Sequence, residues 1–388
     1  MRNRVLGALA VVVGFFALAG WARAGTEYIV ANDDAAAPFP SGVSFYTIAP
    51  NGFLTLVQDV PTGGMGIGGG FFGANRIAVV NNSGQACVYA TDASTGDIVG
   101  IIVSSLAVGG SATGSDSDGG TSNGIGLATG GQYLYASYSD SNTIGTFQLQ
   151  PGCSLSFVGD VSVSGVQQGI INGMAIHGSM MVATYTDGTI ESFDISGGMP
   201  ASHGDKQLST ATVKSQDATY PNSIDITPDG HFAIFGDTST LMVVEISDIS
   251  SGKLAPTRVY SSTASISSSN VMLSPDGNVL YVVNTQGDRV TASFFNKVSG
   301  KLYGGCSSNP INGLSGNWSY LAGLALASNV GTGGGVYVAE FGSSPAIALV
   351  KLNASGRTCT LQEVPESPVA EPNSSGLLSI GRVPPRRF

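Results

Sequence analysis

Short apolar segments separated by turns recur along the whole chain. The two clearest copies span residues 224–235 and 271–284, and in each an apolar segment runs into a Pro-Asp-Gly turn and then into a second apolar segment. Proline presets φ at the start of such a turn, and glycine tolerates the positive φ that ends it. Units of roughly 50 residues that contain only strands and turns are typical of a β-propeller.

A recurring apolar position predicts the innermost strand of each unit. From Ile125 onward these positions are separated by 49, 50, 47, 53 and 53 residues. They fall near Ile67 and then at Ile125, Met174, Ile224, Val271, Leu324 and Leu377. Glycine-rich tracts at 61–73 and 108–124 are predicted to be loops between blades.

The two ends of the chain complement each other in this scheme. The predicted strand 28–32 has no inner strand before it, and the inner strand 375–380 has no second strand after it. Pairing the two would complete a seventh blade and remove an exposed sheet edge. We therefore predict an all-β fold, a propeller of seven four-stranded antiparallel blades whose ring is closed by the N- and C-terminal strands.

The first 24 residues have the pattern of an export signal. Arg2 and Arg4 precede an apolar run at 5–20, and Ala22-Arg23-Ala24 provides a small-residue cleavage site. An uncleaved membrane anchor is the alternative. We predict a signal peptide at 1–24 and one propeller domain at 25–388, with the protein secreted, periplasmic or at the cell surface.

Composition narrows the possible partners. The chain is 42% hydrophobic and 11% charged, which excludes a disordered protein. Without the signal, 13 basic residues stand against 26 acidic ones, a net charge of −13. Nucleic acid is therefore not an expected partner, because phosphate neutralisation dominates that binding. No other stretch is long and apolar enough to span a membrane, and we expect a monomer.

All four cysteines lie beyond the signal, at Cys87, Cys153, Cys306 and Cys359. An even number in an oxidising compartment suggests two disulfides. Bonded cysteines need Cα atoms within about 7 Å, which favours partners in neighbouring blades. We predict the pairs Cys87–Cys153 and Cys306–Cys359. No C-x-x-C spacing indicates a metal site.

Three asparagines stand at equivalent positions, just before predicted inner strands: Asn123, Asn172 and Asn222. Inner strands line the central channel of a propeller, so these amides could ring one mouth and bind a small polar ligand or a calcium ion. Asp225 would add a carboxylate. The alternative is that each asparagine simply occupies a turn and bonds to nearby backbone.

Two histidines are candidates for acid–base chemistry. His177 ends one inner strand and His231 opens a second strand, and either could act as a general base if it faced the channel. The alternative is an ordinary turn or surface histidine. Because the chain has three histidines and no H-E-x-x-H, a zinc site is not expected.

The stretch 274–302 resembles the lactonase-like seven-bladed propellers. It contains Ser-Pro-Asp-Gly at 274–277, Tyr-Val-Val-Asn at 281–284, Gly-Asp-Arg-Val at 287–290 and Ser-Gly-Lys-Leu at 299–302. This family includes bacterial 6-phosphogluconolactonases and YVTN-repeat surface proteins. The resemblance covers 222–306 best and extends, in register, over the rest of the mature chain. It implies the propeller fold and, as an activity, lactone hydrolysis.

The chain departs from the enzymes of that family at two positions. A Pro-His pair typically precedes an inner strand and an Arg-Gly pair follows a Y-V-x-N strand, but here Pro221-Asn222 and Gln286-Gly287 stand there. Asparagine is no general base, and glutamine cannot bind an anion as a charged fork does.

Two functions therefore remain open. The first is a lactone hydrolase at the channel mouth, with Asn123, Asn172 and Asn222 binding a sugar lactone and with His177 and Asp225 as the catalytic candidates. The second is a non-catalytic propeller that binds a protein or glycan. No cofactor is expected apart from the calcium option.

Overall fold

A computed structural model provides the structure of the chain. The residues it describes are 26–33, 35–68, 75–114, 124–138, 141–163, 170–187, 189–207, 223–236, 240–248, 252–261, 268–284, 288–311, 320–327, 334–341, 345–371 and 379–383. The predicted signal at 1–24 lies outside these residues.

Strands of the described residues form seven antiparallel sheets, named blades 1 to 7 and written from the inner to the outer strand. Blade 1 contains β29 (Ser379–Val383), β1 (Tyr28–Asn32), β2 (Gly42–Ile48) and β3 (Leu54–Pro61). Blade 2 contains β4 (Ile77–Asn82), β5 (Gln85–Asp92), β6 (Asp97–Ile102) and β7 (Ala107–Thr113). Blade 3 contains β8 (Ile125–Gly130), β9 (Tyr133–Tyr138), β10 (Thr143–Leu149) and β11 (Leu155–Ser162). Blade 4 contains β12 (Ile171–His177), β13 (Met180–Tyr185), β14 (Thr189–Asp194) and β15 (Ala201–Gln207).

The remaining blades follow the same order. Blade 5 contains β16 (Ser223–Ile226), β17 (Phe232–Gly236), β18 (Thr240–Asp248) and β19 (Lys253–Ser261). Blade 6 contains β20 (Ser268–Leu273), β21 (Val279–Asn284), β22 (Arg289–Asn296) and β23 (Lys301–Ser307). Blade 7 contains β24 (Tyr320–Leu326), β25 (Gly335–Phe341), β26 (Ala346–Ser355) and β27 (Thr358–Glu363), and the short β28 (Val369–Ala370) also pairs with β26. The prediction of four-stranded antiparallel blades is confirmed.

Inner strands of successive blades contact one another around the centre, in the order β4, β8, β12, β16, β20, β24 and β29. The N- and C-terminal strands share blade 1, where β1 pairs with β29 from Asn32 opposite Ser379 to Tyr28 opposite Val383. The hydrophobic core lies between the faces of adjacent blades. Val30 and Val43 of blade 1, for example, share a buried cluster with Val88 and Val99 of blade 2.

Pro-Asp-Gly turns connect the inner and second strands of blades 5 and 6. The amide of Gly230 donates to the carbonyl of Thr227, and the amide of Gly277 donates to that of Ser274, both at 2.8 Å. Both glycines have positive φ, at 74° and 68°. These turns therefore form for the reason that the sequence indicates.

The blade-2 register differs from the prediction. Ile67 does not lie in a strand, and the inner strand of blade 2 is β4, which begins ten residues later at Ile77. β4 turns directly into β5 through Ser83 and Gly84, both with positive φ, as a tight hairpin requires. The tract 108–124 is also not wholly a loop, because β7 occupies its first residues.

Both predicted disulfides are confirmed. Cys87 and Cys153 link blades 2 and 3 with Cα atoms 5.5 Å apart. Cys306 and Cys359 link the outer strands of blades 6 and 7 with Cα atoms 5.6 Å apart. Gly100 gives the first pair its room, since a Cβ there would lie 1.8 Å from the carbonyl oxygen of Cys153.

The alternating strand directions define two faces of the ring. The upper face is where the inner and third strands begin and the second and fourth strands end, and the lower face is the opposite one. In the described part of the chain, no helix is both long and apolar enough to cross a membrane.

Candidate functional site

Asn172 lies at the upper end of the inner strand β12. Asn172 is fully buried. The register of β12 against β13 shifts between Ile171 and Gly173, so that Asn172 occupies a bulge. Gly173 allows the next inner strand to approach, because a Cβ there would lie 3.2 Å from the Cα of Ser223. Asn172 is therefore held tightly at the channel end of two blades. The other two predicted amides, Asn123 and Asn222, lie outside the described residues.

His177 lies at the lower end of the same strand. Five residues separate it from Asn172, which corresponds to about 16 Å along an extended strand. His231 also belongs to the lower face, where its Nδ1 lies 3.5 Å from the carboxylate of Asp229. The structure therefore does not bring either histidine to the mouth at which Asn172 lies.

Asp225 lies in the middle of β16, and its carboxylate binds backbone. Its Oδ1 accepts from the amide of Ile226 at 2.9 Å, and its Oδ2 accepts from the amide of Leu273 on the neighbouring inner strand at 2.8 Å. The Oδ2 contact thus ties blade 5 to blade 6. This arrangement is that of a structural link between blades rather than of a free general base.

Arg76 directly precedes the inner strand β4 at the upper face. Its amide donates to Ser379 Oγ at 3.0 Å, and its carbonyl accepts from Asn32 Nδ2 at 3.2 Å. The side chain reaches toward blade 3, because a Cβ on Gly124 would lie 2.6 Å from the guanidinium. Arg76 is 1% exposed, so a buried positive charge lies where the inner strands of blades 2 and 3 begin.

Buried side chains form a ring just behind the inner strands at the upper face. Each ends the second strand of its blade or lies one residue from that end, and most lie opposite the first residues of the inner strand. This second-strand ring consists of Asn32, Asp92, Tyr138, Tyr185, Asn284 and Glu340, and Gly236 takes the position in blade 5. In the sequence, the blade-6 member of this ring is marked by Asn284, the last residue of the Y-V-V-N stretch.

Glu340 is the most unusual member of the second-strand ring. It is 1% exposed, and neither carboxyl oxygen has a hydrogen-bond partner in the described structure. Burial, followed by the negative charges of Glu363 and Asp288, raises its pKa to about 8. A carboxyl with this pKa holds a proton at neutral pH and exchanges it close to that pH.

A second group of carboxyls lies at the upper end of blade 1. Asp33 accepts from the amide of Gly42 at 2.7 Å, and burial raises its pKa to about 7. Glu371, which follows β28, accepts from Ser44 Oγ at 2.5 Å and from the hydroxyl of Tyr46. Burial also raises the pKa of Glu371. Buried carboxyls of raised pKa thus occupy the upper face in adjacent blades.

Metal-binding geometry was the other possibility for this mouth. Within the described ranges, no group of three or more His, Cys, Asp or Glu side chains is arranged to hold a metal ion. The calcium option rests on three asparagine amides, of which Asn123 and Asn222 lie outside those ranges, and it stays a prediction.

The succession of four-stranded antiparallel blades defines the class of the protein as a β-propeller. The chain belongs to the lactonase family of 7-bladed β-propellers, whose family model matches residues 111–372. The resemblance expected from the sequence is thereby confirmed. No curated protein matches the chain.

Solved structures share the fold at low identity. A candidate 6-phosphogluconolactonase from Bacteroides fragilis has a TM-score of 0.66 and 13% identity, over 92% of this chain and 98% of that one. The periplasmic gluconolactonase PpgL of Pseudomonas aeruginosa has a TM-score of 0.59 and 12% identity, over 91% and 97%. A hypothetical selenium-binding protein from Sulfolobus tokodaii has a TM-score of 0.65 and 11% identity, over 92% of each chain. These likenesses concern the fold alone.

Proposed function

We propose that this protein is an exported lactone hydrolase that binds a sugar lactone at the upper mouth of its channel. One observation carries the proposal. Buried polar side chains and carboxyls of raised pKa lie together at the upper ends of the inner and second strands of the blades. Perturbed carboxyls beside a central channel are a mark of functional sites. The family and its gluconolactonase-like neighbours make lactone hydrolysis the favoured reaction.

The chemistry asks for two kinds of group. Water adds to the lactone carbonyl carbon while its proton passes to a base, the ring C–O bond breaks, and the freed alkoxide takes up a proton to give a hydroxy acid. A hydrogen-bond donor must stabilise the negative oxygen of the intermediate. In this proposal the amide of Asn172 is the donor and Asp92 is the base. Glu340, which holds a proton at neutral pH, protonates the freed alkoxide.

Export belongs to the proposal as well. The two disulfides support it, because such bonds persist in oxidising compartments. We therefore expect residues 1–24 to be removed and the remainder to function as one propeller domain outside the cytoplasm.

Turnover of a panel of sugar lactones by the purified mature chain, followed in a pH-stat, tests the activity. Hydrolysis above the spontaneous rate, reduced at least tenfold by Asn172→Ala and left intact by His231→Ala, is the expected result. Circular dichroism and thermal unfolding of both variants show whether a loss reflects misfolding. A rate equal to the spontaneous one on every lactone would refute a hydrolase.

A non-catalytic binding propeller is the second candidate. It is favoured by the binding of both Asp225 oxygens to backbone amides and by the position of His177 and His231 on the lower face. If no lactone is hydrolysed, co-purification from the extracellular fraction is the measurement that would support this candidate.

A further inference from the structure

Charged side chains are divided unequally between the two faces of the ring. Among the side chains that the structure describes, the strand ends of the upper face carry mostly carboxylates. They are Asp59, Asp92, Asp97, Asp160, Asp187, Asp288 and Glu363, whereas burial favours the uncharged form of Asp33, Glu340 and Glu371 there. The arginines at upper strand ends in the same set are Arg76 and Arg289. The described strand ends of the upper face are therefore acidic.

The lower face has the opposite balance. Its described strand ends and turns carry Lys253, Lys297, Lys301, Arg357 and Arg382, together with Glu27, Asp194, Asp229 and Asp276. Two of these basic side chains already have partners there. Arg382 pairs with Glu27 at 2.9 Å, and Lys297 Nζ donates to the carbonyl of Asp276 at 2.7 Å. Among the described side chains, the excess of acidic over basic groups thus lies on the upper face.

The two upper arginines are not arranged to capture a free anion. Arg76 is buried, with its guanidinium close to Gly124. Arg289 directs its Nη1 to the carbonyl of Ser308 at 3.2 Å. A site for a phosphate or carboxylate normally offers an exposed fork of donors with a favourable field. The described part of the upper mouth offers neither, and the field of its carboxylates repels anions.

We propose that the upper mouth selects an uncharged lactone and discriminates against phosphorylated or carboxylated ones. This inference rests on the proposed function and names its substrate class. The same field would assist turnover, because hydrolysis converts a neutral lactone into a carboxylate anion that the acidic mouth expels. The negative charge of the mouth would thus favour the neutral substrate over the anionic product, without any contact specific to the lactone ring.

Two substrates with the same lactone ring test this inference: D-glucono-1,5-lactone and its 6-phosphate. We expect kcat/KM for the neutral probe to exceed that for the phosphorylated one at least tenfold in low salt. Salt screens such repulsion over a Debye length of about 10 Å at 0.1 M. Added salt should therefore raise kcat/KM severalfold for the phosphorylated probe and leave the neutral probe unchanged.

Matched charge removals on the two faces provide the control. Asp97 and Asp187 at the upper face each accept a hydrogen bond through Oδ1, from Thr113 Oγ1 and from the amide of Thr189, and asparagine retains that acceptor. The double change Asp97→Asn/Asp187→Asn should improve the phosphorylated probe severalfold. The same change at Asp229 and Asp276 on the lower face removes equal charge and should alter neither probe.

The outcomes separate this inference from the proposed function. Preference for the phosphorylated probe, or a rate on it that falls with salt, would overturn the neutral class while leaving a hydrolase. If neither probe is hydrolysed, the hydrolase is refuted, and calorimetry with D-glucitol and D-glucitol 6-phosphate decides the charge inference. Binding of D-glucitol alone would support it, whereas binding of the phosphate, or of neither, would overturn it.

Discussion

Upper and lower faces use carboxylates in opposite ways. On the lower face, Asp229 and Asp276 lie exposed in Pro-Asp-Gly turns, where hydrogen bonds from nearby hydroxyl and amide groups lower their pKa. On the upper face, Asp33, Glu340 and Glu371 are buried, and burial raises their pKa. Asp229 and Asp276 stabilise turns, whereas each of the three buried upper-face carboxyls costs stability when it ionises.

This difference shows which acidic residues are candidates for function. Lower-face carboxylates are explained by local turn chemistry, because their partners lie within two residues in sequence. Burial of the upper-face carboxyls is unexplained by local structure and depends on how blades meet. Retained groups that weaken a fold are characteristic of functional sites.

The largest expected effect is the pH dependence that Glu340 gives to stability. Its pKa is raised from 4.5 to about 8, so the stabilisation is complete below pH 4.5 and is lost as pH rises through 8. The full loss would be as much as ~5 kcal/mol at about 1.36 kcal/mol per pKa unit. Denaturant unfolding between pH 4 and 9 should show Glu340→Gln flattening this decline.

An exposed glutamate provides the control for that measurement. Glu366→Gln, in the loop before β28, removes the same charge without a buried site and should leave the decline of the wild type unchanged. An equal decline in wild type and Glu340→Gln would contradict the idea that Glu340 is protonated in the fold.

A smaller effect of the same sign is expected from Asp33→Asn. The pKa of Asp33 is raised from 3.8 to about 7, so its contribution is lost as pH rises through 7. Asparagine can still accept from the amide of Gly42 and cannot ionise. Thermal unfolding should show this variant gaining on the wild type from pH 5 to pH 8, and a constant difference over that range would argue against the assignment.

The smallest expected effect has the opposite sign and lies on the lower face. Asp276→Ala removes the acceptors for Ser274 Oγ and the amide of Asn278, which should cost about 1 kcal/mol at pH 7. Because the pKa of Asp276 is lowered, its stabilisation is present above the unfolded pKa and is lost as pH falls through the folded one. Asp276→Asn retains an acceptor and should recover most of the loss at pH 7. Greater destabilisation by asparagine than by alanine would contradict this explanation.

Local sequence patterns predicted much of the fold but little of the site. Turn chemistry at 228–230 and 275–277 and the repeat length are local signals, and from them the blades and both disulfide pairs could be inferred. The error in blade 2 was to place the inner strand near Ile67, within the glycine-rich tract 61–73. Ile77 precedes Ile125 by 48 residues, a distance close to the other spacings, and was the better choice.

The site could not be predicted in the same way, because its members come from distant parts of the chain. The amide of Arg76 bonds to Ser379 only because β29 completes blade 1. The charge of Asp288 in blade 6 acts on Glu340 only because blade 7 lies beside it. Asn172 was correctly placed at the start of an inner strand. His177 was grouped with it because both belong to β12, without regard to the length that separates the two ends of the strand.

One measurement tests most directly whether the upper face carries the activity. It is a comparison of kcat/KM for D-glucono-1,5-lactone between Asn172→Ala and His177→Ala, two changes at opposite ends of β12. We expect at least a tenfold loss in Asn172→Ala and a rate close to that of the wild type in His177→Ala, with both variants folded. A loss confined to His177→Ala would place the chemistry on the lower face and contradict an active upper face.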